Sequence, residues 1–77
     1  MPHVILKMVE GRTEEQKKAL AEALTRAVTT SLGCGDDLVS VAIEDVREEE
    51  WMAEVFVPDI QQRPDTIYRM PGYGPED

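Results

Sequence analysis

Seventy-seven residues carry 16 acidic and 8 basic side chains, for a net charge of −8. That balance argues against nucleic acid and against anionic membrane surfaces as partners, since both need a basic face. The length allows a single domain, 1–77, which buries only about 60–65% of its unfolded surface and needs a further stabiliser.

The chain opens "MPHVILKM". His3 to Met8 reads as a strand, with Val4, Leu6 and Met8 on one face and His3, Ile5 and Lys7 on a mixed face. Proline at position 2 is tolerated at the head of a strand, although it has no N–H for a sheet. It also has a chemical reading. If Met1 is removed, Pro2 becomes a rigid secondary amine that can act as a general base. A stretch this short and apolar, holding one lysine, is too brief for a secretory leader, and no run approaches the length of a bilayer span. The expected location is the cytoplasm.

Gly11 breaks the strand, and Arg12 follows it. "TEEQ", Thr13–Gln16, is a capping box, with Glu14 and Glu15 favoured by the dipole of the first helical turn. The helix beyond is amphipathic. Leu20, Leu24 and Val28 recur every four residues, Ala23, Ala27 and Leu32 are expected to widen the stripe, and Lys17, Glu22, Arg26 and Thr29 are expected to lie off it. Gly33 ends it. Cys34 and His3 are the single cysteine and histidine, so neither an intrachain disulfide nor a structural zinc site is expected.

"LVSVAIEDV", Leu38–Val46, reads as a second strand with Val39, Val41 and Ile43 on its apolar face. Strand, long helix and strand make a β-α-β unit with parallel strands. Two strands and one helix leave a sheet face open, and parallel sheets are normally covered on both faces. The fold class expected is therefore α+β, with the sheet completed by oligomerisation. "REEE" reads as a solvated turn, and Trp51–Val57 as a short strand or a helical turn. Pro64 can open a short C-terminal helix to about Arg69, stopped by Pro71 and Gly72. Gly74–Asp77 reads as frayed.

Singly, the chemical candidates have plain structural readings. Arg12 suits a solvated loop, Trp51 a core, and Glu48–Glu50 an exposed face. No nucleophile motif, phosphate loop or metal-ligand spacing is present. Together, Pro2, Arg12 and Trp51 stand in a specific order. "MPHVILKMVEGRTEEQKKALAEALTRAV" resembles the 4-oxalocrotonate tautomerase family. "SVAIEDVREEEW" is similar to the family's second strand and the aromatic after it. "DTIYRMPGYGP" resembles the tail of a dimeric subgroup that lacks the usual glycine-rich hairpin.

The resemblance implies an enzyme, a cofactor-independent keto–enol tautomerase acting on a small enol or 2-hydroxydienoate-type carboxylate. It implies a catalytic role for Pro2 as general base and acid, carboxylate binding by Arg12, and a pocket wall from Trp51, with no metal. It also implies a homodimer or a larger homo-oligomer. A second arginine, usual in the second strand of the best-known members, falls at Ala42. A monocarboxylate substrate such as an enolised phenylpyruvate needs only one such clamp. Two alternatives remain at this level: a non-catalytic oligomeric module of the same fold, and a hydratase- or dehalogenase-like relative in which Glu54 activates water.

Overall fold

A computed structural model describes residues 1–75 of the chain. It divides into two units, Met1–Asp45 and Val46–Asp77.

The first unit holds the β-α-β pattern. Strand β1 spans His3–Val9, helix α1 spans Glu14–Leu32, and strand β2 spans Ser40–Val46. The two strands pair in one two-stranded sheet. The Ser40 N–H, at the start of β2, donates to the Pro2 carbonyl, just ahead of β1, at 3.2 Å. Both strands therefore begin at the same end of the sheet and run parallel, as a helical crossover requires. Sequence placed the start of β2 at Leu38. Asp36–Leu38 instead forms one tight 3₁₀ turn, and the strand begins two residues later. Asp36 and Asp37 suit the N-terminal turn of such a helix better than a strand.

Both ends of α1 follow from local chemistry. The Thr13 hydroxyl accepts from the Gln16 N–H at 3.1 Å, and the Gln16 side-chain oxygen accepts from the Thr13 N–H at 2.9 Å. Two donors that the helix cannot satisfy itself are thus paired. Gly33 closes the other end at φ 69°, ψ 27°, and its N–H reaches the Thr29 carbonyl at 2.9 Å. A side chain would be strained in that left-handed conformation.

The covered stripe of α1 differs from the expected one. Lys17, Leu20, Ala21, Leu24, Thr25, Val28 and Thr29 are half-buried, while Ala23, Ala27 and Leu32 are exposed. The covered positions follow an i, i+3, i+4, i+7 spacing to the end. Lys17 joins them because its ammonium pairs with Asp45 of β2 at 2.5 Å and with Glu14 at 3.3 Å. Its stem lies along the helix while its charge is met at the tip. Thr25 turns its hydroxyl back to the Ala21 carbonyl at 2.8 Å, leaving its methyl group free for apolar contact.

In the second unit, Glu48–Glu50 forms a 3₁₀ turn, and Met52–Gln61 forms a wide helix. Of the strand and the helical turn that sequence left open for Trp51–Val57, the helical one is found, and it runs four residues further. The Gln62 N–H reaches back five residues to the Val57 carbonyl at 3.0 Å. Pro58 lies inside this helix. A normal α-turn would lose its N–H bond and crowd its ring against the carbonyl four residues back. The wider turn does not use that four-residue pattern. Pro64 opens only one 3₁₀ turn, Pro64–Thr66, after which Ile67 is extended. The C-terminal helix is therefore shorter than the expected run to Arg69. Gly74 and Pro75 lie in no regular helix or strand, and the rest of the expected frayed end, Glu76 and Asp77, falls outside the described residues.

Among the described residues only Val55 and Phe56 are buried, each at 5% exposure. No residue of α1 is fully buried, and Ile5 on β1 keeps 56% of its surface exposed. No helix among the described residues is long and apolar enough to cross a membrane.

Candidate active site

Pro2 sits half-buried at the head of β1, and Met1 ahead of it is fully exposed. Two hydrogen bonds from the start of β2 hold this end of the strand. One is the Ser40 N–H to the Pro2 carbonyl. The other joins His3 Nδ1 and Ser40 Oγ at 2.6 Å. The backbone on the carbonyl side of the ring is therefore fixed by the sheet, while the ring nitrogen makes no ladder bond.

Arg12 lies beyond the other end of the same strand. Gly11, at φ 123°, makes the turn that presents it, in a backbone conformation that other residues rarely adopt. Arg12 is exposed and makes no ion pair among the described residues. Seven residues of β1 separate the two candidates, and a strand rises about 3.3 Å per residue, roughly 20 Å over its length. The resemblance implies that Pro2 and Arg12 serve one substrate. The strand instead sets Pro2 and Arg12 at opposite ends of β1 within one chain.

Trp51 is half-buried at the entry of the wide helix of the second unit. Its indole N–H donates to the Tyr73 hydroxyl at 2.7 Å. The Tyr73 ring in turn rests against buried Phe56, with centroids 5.7 Å apart and planes inclined at 44°. Tilted pairs at this separation are favoured by the ring quadrupoles. Sequence singled out Trp51 but not Tyr73. The signal available, an aromatic in a tail with proline and glycine around it, does not say which residue it meets.

Two other features stand apart from these residues. A shallow cleft of about 450 Å³ in the first unit is lined by Ala21, Glu22, Thr25, Arg26, Asp36 and Val41. It includes neither Pro2 nor Arg12. Glu54, the candidate water-activating acid, is exposed on the wide helix. Ala42, where the family pattern often has arginine, is half-buried in β2.

Residues 2–58 match the family model described as a tautomerase enzyme. The match begins at Pro2 and ends at Pro58, inside the wide helix. The chain belongs to the 4-oxalocrotonate tautomerase family. It is 42% identical over 74 residues to a probable tautomerase of Xylella fastidiosa, covering 96% of this chain and 90% of that protein. It is 43% identical over 51 residues to a 2-hydroxymuconate tautomerase of Bacillus subtilis, covering 66% and 82%. A solved structure from the 4-oxalocrotonate tautomerase isozymes of Methylibium petroleiphilum superposes with a TM-score of 0.63 at 42% identity, covering 65% of this chain and 81% of that one. The chain is accordingly an enzyme, a tautomerase of the isomerase class, and the expected α+β fold with its parallel β-α-β unit is the tautomerase fold. The alternative of a non-catalytic module gives way to this finding.

Proposed function

We propose that this tautomerase interconverts keto and enol forms of a small carboxylate, with the Pro2 amine of Met1-processed protein carrying the proton. The supporting observation is the position of Pro2. It is the first residue of the family match and stands at the head of β1, with its carbonyl tied to Ser40 and Met1 exposed beside it.

The chemistry follows from what an amine can do there. An unperturbed α-amine has a pKa of about 7.7–8.0, close to the pH at which a general base works best. The neutral amine takes the hydroxyl proton of the enol. The oxygen lone pair becomes the carbonyl, the double bond shifts, and the protonated amine returns its proton to carbon. The number of protons is unchanged over the cycle, and no oxidant or reductant is needed. Arg12 binds the substrate carboxylate in a two-pronged geometry and draws negative charge toward itself. Trp51 meets the apolar part of the substrate. A single clamp, with alanine at position 42, suits a monocarboxylate.

Because β1 separates Pro2 from Arg12 in one chain, the reading requires a second copy. Arg12 of one copy would serve Pro2 of another, in a homodimer or a larger assembly. Exposed Ile5 on β1 belongs to the apolar surface such a partner would cover. Light scattering should show at least twice the 8.7 kDa of one chain.

The deciding experiment assays phenylenolpyruvate with processed protein and with protein that keeps Met1, verified by intact mass. In the latter the Pro2 nitrogen is an amide without useful basicity. Activity should be lost there, and processed protein should show an acidic limb in kcat/KM from its free amine. Equal rates from the two proteins would reduce Pro2 to the first residue of a strand.

A further inference from the structure

The family match stops at residue 58, yet the described chain continues to Pro75, and one residue of that extension makes two specific contacts. Tyr73 accepts the only hydrogen bond that the Trp51 indole can donate, at 2.7 Å. Its ring lies against Phe56, one of the two buried residues of the described chain. The contacts constrain different things. The ring contact with Phe56 locates Tyr73 on the wide helix. The hydrogen bond then fixes the edge of the indole, and with it the direction in which the indole face points. A half-buried tryptophan without such a partner could rotate about its two side-chain torsions.

We propose that Tyr73 is a positioning residue for Trp51, through which the C-terminal segment sets the preference of this tautomerase for enol carboxylates that bear a flat apolar group. The inference rests on the reading of Trp51 as the residue that meets the apolar part of the substrate. Tyr73 does not touch the reacting atoms. It holds the face on which a ring would stack, and stacking requires a defined plane. A substrate without such a group gains little from that plane and should be insensitive to it. The 51-residue match to the 2-hydroxymuconate tautomerase covers 66% of this chain, too little to span both the β-α-β unit and residue 73. The 74-residue match to the Xylella protein spans nearly all of it. The alignment with the Xylella protein therefore includes residue 73.

Trp51 is the only tryptophan, so its fluorescence reports the contact directly. The test compares wild type, Tyr73→Phe and Trp51→Ala, each processed to Pro2. The substrates are two monocarboxylates: phenylenolpyruvate, which carries a ring, and 2-hydroxypenta-2,4-dienoate, which does not. Tyr73→Phe keeps the ring on Phe56 and removes only the acceptor. It should change the Trp51 emission and raise KM for phenylenolpyruvate about 2- to 10-fold, the range of a neutral hydrogen bond. Its kcat, and both constants for 2-hydroxypenta-2,4-dienoate, should stay within about twofold. Trp51→Ala should raise KM for phenylenolpyruvate by more.

If Trp51→Ala raises that KM and Tyr73→Phe does not, the positioning role is overturned while the pocket-wall role stands. If Trp51→Ala leaves it unchanged, the pocket-wall role fails and the proposal falls with it. If Tyr73→Phe weakens both substrates equally, Tyr73 supports the fold and not the preference, and the proposal is again overturned.

Discussion

The two units of the chain are built in opposite ways. Met1–Asp45 is regular: a strand, a helix capped at both ends and the start of a second strand, yet it contains no buried residue. Val46–Asp77 is irregular: two 3₁₀ turns and a wide helix carrying an internal proline. It nonetheless holds both of the side chains buried among the described residues, Val55 and Phe56. Regular backbone and burial are therefore separate achievements. Capping and strand pairing satisfy backbone groups without enclosing anything. Enclosure needs side chains on more than one side, and a single β-α-β unit supplies too few. The first unit holds two of the candidate site residues and leaves apolar surface exposed, as at Ile5. The second secures its tail through aromatic side chains.

The sharpest way to break this contrast is to remove the enclosed ring. Phe56→Ala should cost about 3–5 kcal/mol, the usual range for deleting a buried aromatic, and should free Tyr73 from its ring contact. Leu24→Ala, at a half-buried position of α1, should cost less in dilute protein. Its cost should grow with concentration if copies cover α1. Urea titrations at two protein concentrations measure both. Equal costs for the two variants in dilute protein would show that α1 is as well enclosed as Phe56, and the contrast would be lost.

A smaller effect should separate chemistry from stability within the first unit. Arg12 is exposed, so Arg12→Ala should leave the urea midpoint unchanged. It should lower kcat/KM on phenylenolpyruvate by about 10- to 150-fold, the equivalent of 1.5–3 kcal/mol for a hydrogen bond to a charged group. Unaltered kinetics would return Arg12 to a solvated loop.

The smallest effect concerns the ion pair that ties α1 to β2. The hydrogen bond that Lys17 donates to Asp45 holds its ammonium above the ordinary value of 10.5, against some desolvation, with Glu14 adding to the rise. A group whose pKa is raised on folding stabilises the fold below its unfolded value, and that contribution is lost as pH rises through the folded value. Asp45→Asn should therefore lower the melting temperature slightly at neutral pH. The difference from wild type should shrink above pH 10.5, as Lys17 deprotonates. A difference that persists at high pH would mean that the pair contributes by something other than charge.

Sequence was most informative where the code is local. Thr13 and Gln16 announce the start of α1 within four residues, and Gly33 its end, because each acts on backbone groups one turn away. The choice of covered face was less legible. Ala23 and Ala27 carry too little apolar area to compel burial, whereas Lys17, Thr25 and Thr29 are polar residues with apolar stems or methyl groups that can be covered once their polar ends are satisfied. Trp51–Val57 was ambiguous because a short apolar run suits a strand or a helix equally. Pro58, just after that run, argues against an ordinary helix continuing through it, and the wide turn escapes that argument. The separation of Pro2 and Arg12 was within reach of the sequence, since it needs only the length of β1 and the rise of a strand.

By itself, then, the sequence determined the family, the β-α-β order and the ends of α1, for these rest on residues a few positions apart and on motif order. Only the tertiary structure decided that Tyr73 meets the Trp51 indole across 22 residues, that Phe56 is enclosed, and that α1 turns Thr25 rather than Ala23 toward cover. Each of these depends on where the chain goes between the partners. Loop direction and the fit of side chains set that path, and both depend on the surroundings rather than on any short stretch.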